Sequence, residues 1–164
     1  MPSILNPYLN FRGQAREAMD FYAAVFGGTV QRSTFAEYQM DVADAPDEAD
    51  LIMHSQLTTD AGFTLMAADV PARMELKEGS SISVSLSGDD EVQLTGYYNG
   101  LVDGGTVVEP LSKAPWGDSF GMLVDRYGVQ WLVNIAGQPA TAEGQSSAGG
   151  QPPADPGQLP DPLE

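Results

Sequence analysis

The chain has 164 residues, with 42% hydrophobic and 18% charged positions and no cysteine. That composition allows one domain with a substantial core or two small fused modules. It excludes disulfides, zinc–thiolate sites and cysteine nucleophiles. Twenty-three acidic against seven basic residues give a net charge of −16, so phosphate backbones and anionic membranes would repel it and are poor partners.

The stretch Met1–Phe11 lacks the basic flank and continuous apolar run of a signal peptide, and no apolar run reaches membrane-spanning length. A cytoplasmic protein is expected.

In chain order, the first elements read as a strand over Asn6–Phe11, a helix over Gln14–Phe26 and a strand over Thr29–Phe35. The helix rests on Ala15, Ala18, Met19, Tyr22 and Phe26, spaced three and four apart into one apolar face. Gly27 stands where a left-handed C-cap is expected. A loop carrying Asp41, Asp44, Asp47, Glu48 and Asp50 follows. It lacks the regular spacing and central glycine of a calcium loop and reads as a solvated connection. Leu51–Thr58 then turns through Asp60-Ala61-Gly62 into Phe63–Ala68, a hairpin with glycine at its bend.

The same order returns. Ile82–Ser87 reads as a strand, Asp90–Val102 as a helix with Asp89 as its cap, and Thr106–Leu111 as a strand. Phe120–Val124 turns through Asp125-Arg126-Tyr127-Gly128 into Val129–Ile135. Gly27-Gly28-Thr29-Val30 recurs as Gly104-Gly105-Thr106-Val107, an offset of 77 that also carries Leu9 to Leu86 and Phe21 to Tyr98. Two βαβββ modules follow, about 1–70 and 80–136, in an α+β fold. From Gly137 the composition changes, with six prolines, five glycines and no basic or aromatic residue in 137–164. Such a segment cannot bury enough apolar surface to offset its ordering entropy and is read as a disordered acidic tail. The tail holds four acidic residues, so residues 1–136 keep nineteen acidic and seven basic, a net of −12.

Strand alternation assigns faces. Leu9 and Phe11; Leu51, Met53 and Leu57; Ile82, Val84 and Leu86; and Trp131, Val133 and Ile135 form apolar halves expected to pack under the helices. The opposite halves hold Asn6, Tyr8 and Asn10; Ile52, His54, Gln56 and Thr58; Thr64 and Met66; Ser83, Ser85 and Ser87; and Gln130, Leu132 and Asn134. With the helices outside, that mixed face would line a cavity suited to an uncharged or zwitterionic small molecule.

The stretches Leu5-Asn6-Pro7-Tyr8-Leu9-Asn10-Phe11, Ala18-Met19-Asp20-Phe21-Tyr22 and Ile52-Met53-His54-Ser55-Gln56-Leu57 resemble PhnB-like proteins. So, most specifically, does Ala114-Pro115-Trp116-Gly117-Asp118-Ser119-Phe120-Gly121-Met122, running on to Gly128-Val129-Gln130-Trp131-Leu132-Val133-Asn134-Ile135. These proteins form a branch of the glyoxalase, bleomycin-resistance and extradiol-dioxygenase superfamily, also called vicinal-oxygen-chelate proteins. The resemblance implies paired βαβββ modules forming a curved mixed sheet around a pocket, assembled as a homodimer. Superfamily members that use a metal carry its ligands at positions that fall here on Asn6, Met66, Ser83 and Leu132. An amide, a thioether, a hydroxyl and a leucine cannot hold a divalent transition metal tightly, so neither metal nor cofactor is expected. Some PhnB-like proteins are also described as demethylubiquinone methyltransferases, but no glycine-rich strand–helix turn of the nucleotide-binding type is present.

His54 is the sole histidine. It is either a base or ligand anchor on the pocket face or a neutral histidine satisfied by a neighbour, placed by strand phase opposite Thr64 or Met66. Trp116 either covers the pocket mouth or anchors its turn, and Asp118 either meets a ligand or shapes that turn. The expected ligand-pocket residues are Asn6, Tyr8, Asn10, His54, Gln56, Met66, Ser83, Ser85, Trp116, Asp118, Gln130 and Asn134. Three readings stand open: a metal-independent small-molecule binder, a lyase, isomerase or dioxygenase with a displaced site including His54, and a dimeric scaffold without ligand. The empty ligand set favours the first over the second, and the polar inner face favours it over the third.

Overall fold

A computed structural model describes residues 3–38, 46–79 and 81–137. Asp41, Asp44 and the sequence-predicted tail beyond Gly137 lie outside the described residues.

The first module runs β1 (Tyr8–Phe11), α1 (Ala15–Phe26), β2 (Thr29–Thr34), β3 (Ile52–Thr58) and β4 (Thr64–Asp69). The second runs β5 (Val84–Gly88), α2 (Glu91–Val102), β6 (Thr106–Lys113), β7 (Ser119–Val124) and β8 (Gln130–Ile135). Each forms a four-stranded mixed sheet, in the orders β1-β4-β3-β2 and β5-β8-β7-β6. The sheets remain separate and do not close into a barrel.

The repeat holds down to register. Tyr8 pairs with Met66 and Ser85 with Leu132; Leu9 pairs with Ala67 and Leu86 with Val133. Gln56 faces Met66 as Met122 faces Leu132. The offset is 77 for the first half of each module and 66 for the hairpin. The eleven-residue difference falls between β2 and β3, where the first module carries its longer connection.

One apolar core serves both modules. All five residues expected on the buried face of α1 are buried, and they meet Ile52, Leu57, Leu65 and Ala67 beneath. From α2, Leu94, Tyr97, Tyr98 and Leu101 join the same cluster, as do Leu123, Trp131, Val133 and Ile135. Phe26 bridges the helices, with its ring 5.0 Å from Tyr97 and 5.5 Å from Trp131. Gly100 lets α2 approach α1, because a Cβ there would lie 3.1 Å from Val25. Burial of these side chains at roughly 25 cal/mol per Å² makes the modules one cooperative unit.

Several expectations need correction. In β3 it is Ile52, not Met53, that enters the core. The β2–β3 pairing passes from Ser33–His54 to Thr34–Ile52, skipping Met53 as an extra residue, so strand phase inverts there. The α2 cap is Asp90 rather than Asp89, its carboxylate accepting the Gln93 N–H at 2.9 Å. Gly27 has the expected positive φ of 72° but an extended ψ of 179°, and Gly104 lies one residue past the α2 cap, Asp103. Ile82 precedes β5 and is 73% exposed rather than packed under a helix. Among the described residues, no helix is long and apolar enough to cross a membrane.

Candidate functional site

The helices cover one face of each sheet and leave the other accessible within the chain. Along β1 this gives exposed Tyr8 and Asn10 beside half-buried Leu9 and buried Phe11. Along β8, half-buried Gln130, Leu132 and Asn134 alternate with buried Trp131, Val133 and Ile135.

A cavity of about 550 Å³ opens where the two modules meet. β1 supplies Tyr8, Leu9, Asn10 and Phe11, and Arg12 and Gln14 follow from the turn into α1. The approach to β8 supplies Tyr127 to Gln130, and β5 with its leading residue supplies Ile82 and Val84. Leu76 to Gly79, from the segment joining the modules, complete the wall. The volume is in the range that encloses a drug-sized molecule.

The cavity gathers Tyr8, Asn10 and Gln130 from the twelve expected residues. His54 does not line it but touches it indirectly. Tyr8 reaches across β4 to place its hydroxyl 3.1 Å from His54 Nδ1, with ring centroids 5.8 Å apart. Partial burial raises the Tyr8 phenol above its ordinary value. His54 pairs across the sheet with Ser33, while Gln56 is the residue that faces Met66. Gln56 donates to Thr58 Oγ1 at 3.4 Å. Ser83, on the second module, donates to Gln130 Oε1 at 3.2 Å and so orients one cavity residue from behind. Ser85 bonds Ser87 on the exposed run of β5. Asn6 is half-buried just ahead of β1.

The Trp116 loop stands apart from this cavity. Trp116 is 66% exposed, with its ring 6.3 Å from Phe120. The Asp118 carboxylate is committed within the fold, accepting the Gly137 N–H at 2.9 Å and Asn134 Nδ2 at 3.0 Å. The Gly137 N–H first, and then Asn134, hold it below the ordinary carboxylate value. Asp118 and Asn134 thus pin the turn to the end of β8.

Sequence reasoning missed Arg12, Lys77 and Tyr127. Arg12 donates from Nη1 to the carbonyls of Val70 and Pro71 and from Nη2 to Met74 O, fastening the start of the connecting segment beside the cavity. The Tyr127 phenol is raised, by burial first and the Glu17 charge second. The available signal was compositional: Arg12 and Lys77 are two of only seven basic residues.

The four positions where metal-using relatives carry ligands do not fit a divalent metal. Asn6, Ser83, Met66 and Leu132 offer no imidazole or carboxylate. Among the described residues, no three histidine, aspartate or glutamate side chains converge on a common point. Nor do the helix N-termini offer an anion cradle for a nucleotide-like group. The Ala15 N–H at the start of α1 donates to the buried Asp69 carboxylate at 3.0 Å, and Asp90 caps α2. Carboxylates already hold both positions that would favour a phosphate.

Residues 3–134 match the sequence family described as 3-demethylubiquinone-9 3-methyltransferase. The structure resembles that of protein PA1353 from Pseudomonas aeruginosa, with 35% identity and a TM-score of 0.69 over 82% of this chain and 98% of that one. It also resembles a PhnB protein from Bacillus cereus described as a putative 3-demethylubiquinone-9 3-methyltransferase, with 25% identity and a TM-score of 0.63 over 82% of this chain and all of that one. A glyoxylase/bleomycin resistance protein/dioxygenase domain from Frankia shares the fold at 11% identity, with a TM-score of 0.56 over 85% of this chain and 95% of that one. The chain belongs to the PhnB-like family described as 3-demethylubiquinone-9 3-methyltransferase.

Proposed function

We propose that this chain is a metal-independent small-molecule-binding protein of the vicinal-oxygen-chelate type, with its ligand held in the cavity between the modules. The observation that carries this reading is the cavity itself. Some 550 Å³ is bounded by apolar Leu9, Phe11, Leu76 and Val84, with Tyr8, Asn10 and Gln130 as polar residues among its lining. A scaffold without a ligand has no reason to keep such a space open, since filling it with side chains would add packing energy. The donor chemistry of Asn6, Met66, Ser83 and Leu132 supports metal independence. The family description names a methyl transfer. The carboxylate-occupied helix ends and the two separate mixed sheets do not fit a nucleotide-bearing methyl donor.

A second reading keeps the same cavity but makes the protein an enzyme of lyase, isomerase or dioxygenase type, and the Tyr8–His54 hydrogen bond favours it. A phenol and an imidazole in one hydrogen bond give a route for moving a proton to or from a bound molecule. We also propose the homodimer. Its support is that Leu5 and Ile82, which correspond at the offset of 77, are 98% and 73% exposed beside the open sheet faces.

A thermal-shift screen of small molecules, run with and without divalent metals, tests the primary reading, because binding to the native state raises the melting temperature. Stabilisation by a ligand without metal is expected. Stabilisation only with metal, or one tightly held transition metal per chain on elemental analysis, overturns it.

A further inference from the structure

The placement of charge around the cavity is at odds with the rest of the molecule. Residues 1–136 carry nineteen acidic and seven basic side chains. The cavity wall reverses that balance, with Arg12 and Lys77 against the single carboxylate of Glu78.

The two cations are also electrically uncompensated. The ion pairs among the described residues are Arg32–Asp20 and Arg126–Asp103, and neither borders the cavity. The bonds from Arg12 go to the carbonyls of Val70, Pro71 and Met74, which fix the guanidinium without neutralising it. Lys77 is exposed and makes no hydrogen bond or ion pair among the described residues. In a chain with so large a carboxylate excess, neither cation is in an ion pair, although Glu78 lies on the same wall. The same cavity is also lined by apolar and aromatic residues, Phe11, Leu76, Ile82, Val84 and Tyr127.

Resting on the binding reading above, we propose that the cavity takes a monoanionic small molecule with a carboxylate and a flat, largely apolar body. The carboxylate lies on the wall shared by Arg12 and Lys77, and the body packs against Phe11, Val84 and Tyr127. This replaces the sequence-based expectation of an uncharged or zwitterionic ligand. A fixed guanidinium and a free ammonium supply the attraction for a carboxylate. The acidic remainder of the protein disfavours di- and trianions, so selection for a single negative charge follows from the field of the whole molecule.

The test titrates the full chain with 2-naphthoate and, separately, with the isosteric neutral 2-naphthamide, following amide and ring NMR signals of Tyr8, Val84 and Tyr127. Wild type should bind the carboxylate at least tenfold more tightly than the amide, and 0.5 M salt should narrow that ratio. Lys77→Ala should lower naphthoate affinity threefold to tenfold and leave naphthamide unchanged, and Lys77→Glu should abolish the preference. Lys77 is chosen because Arg12 holds the connecting segment and its removal would disturb the fold. Equal binding of the two probes, or a preference that survives Lys77→Glu, overturns the assignment of charge and leaves the cavity as a binding site. If neither probe moves the three reporter residues, both the charge assignment and the cavity reading fall.

Discussion

The hydroxyl of Tyr22, in the helix of the first module, donates a 2.7 Å hydrogen bond to the buried carboxylate of Asp125, in the last hairpin of the second. The same carboxylate accepts Trp131 Nε1 at 2.9 Å and the Tyr127 and Val129 N–H groups at 2.9 and 3.0 Å. A buried anion is tolerated only when its lone pairs are filled, and here four donors fill them. The arrangement also fixes the cavity, because Tyr127 to Gln130 leave directly from it.

Tyr22→Phe should therefore cost about 1–2 kcal/mol, and Asp125→Ala about 3 kcal/mol or more, since it orphans four donors, those of Tyr22 and Trp131 buried. Urea unfolding followed by tryptophan fluorescence measures both. Burial first, and then the charge of Asp125, push the Tyr22 phenol far above its ordinary value. The unfolded phenol ionises from about pH 10 while the folded one stays protonated, so the unfolded chain binds fewer protons. Stability should be complete below pH 10 and fall above it, by up to about 1.4 kcal/mol per pH unit from this group. Tyr22→Phe should flatten that decline; an unaltered slope would remove the phenol from the account.

The repeat yields a paired prediction at its two glycine doublets. A Cβ at Gly28 would lie 2.1 Å from Thr58 O, and one at Gly105 would lie 2.4 Å from Val124 O. Both clashes are with backbone, which cannot swing aside. Gly28→Ala and Gly105→Ala should each cost about 2–3 kcal/mol. Gly62→Ala, at a φ of 89° with no atom near the new methyl group, should cost about 1 kcal/mol. Chemical denaturation of the three variants orders them. Equal losses at Gly28 and Gly62, both at positive φ, would mean that conformation, not contact, decides there.

How much of this was legible in the sequence follows from what each feature depends on. The buried face of α1 and the correspondence of the two modules depend on periodicity and an internal offset, which a sequence displays directly. The inversion at Ile52 was hidden because a skipped residue leaves composition and alternation untouched. Asp125 read as an ordinary turn residue, since its partners Tyr22 and Trp131 come from separate elements. The cavity was legible only through Tyr8, Asn10 and Gln130. Its remaining wall, Leu76 to Gly79, lies in a connection without periodicity whose course is set by the Arg12 bonds to Val70, Pro71 and Met74.

Asp118 separates a structural carboxylate from a ligand-binding one. Its bonds to Gly137 and Asn134 are internal, and it lies outside the cavity. Because these bonds lower its folded value, their stabilisation is present above the ordinary carboxylate value of 3.8 and is lost as the pH falls below it. Asp118→Ala should speed amide hydrogen exchange at Gly137 and leave 2-naphthoate affinity within twofold of wild type. A larger loss of affinity would bring the Trp116 loop into the binding site.

His54 offers the sharpest discrimination, because it touches the cavity only through Tyr8. The imidazole holds a phenol that is part of the wall, on an accessible sheet face where water can replace either partner. His54→Ala should therefore change stability by less than about 0.5 kcal/mol, because the half-buried ring makes its hydrogen bond on an accessible face. It should weaken 2-naphthoate binding threefold to tenfold, about 1 kcal/mol, because the freed phenol loses its fixed orientation. Tyr8→Phe should produce a similar loss, and the double variant should be little worse than either single one, since the two residues act as a unit. As the sole histidine, His54 also gives one unambiguous imidazole signal, which should shift when 2-naphthoate fills the cavity. A core histidine would reverse the pattern, with destabilisation above about 1.5 kcal/mol and unchanged affinity. That outcome would detach Tyr8 from His54 in function and leave the second, catalytic reading without its proton donor.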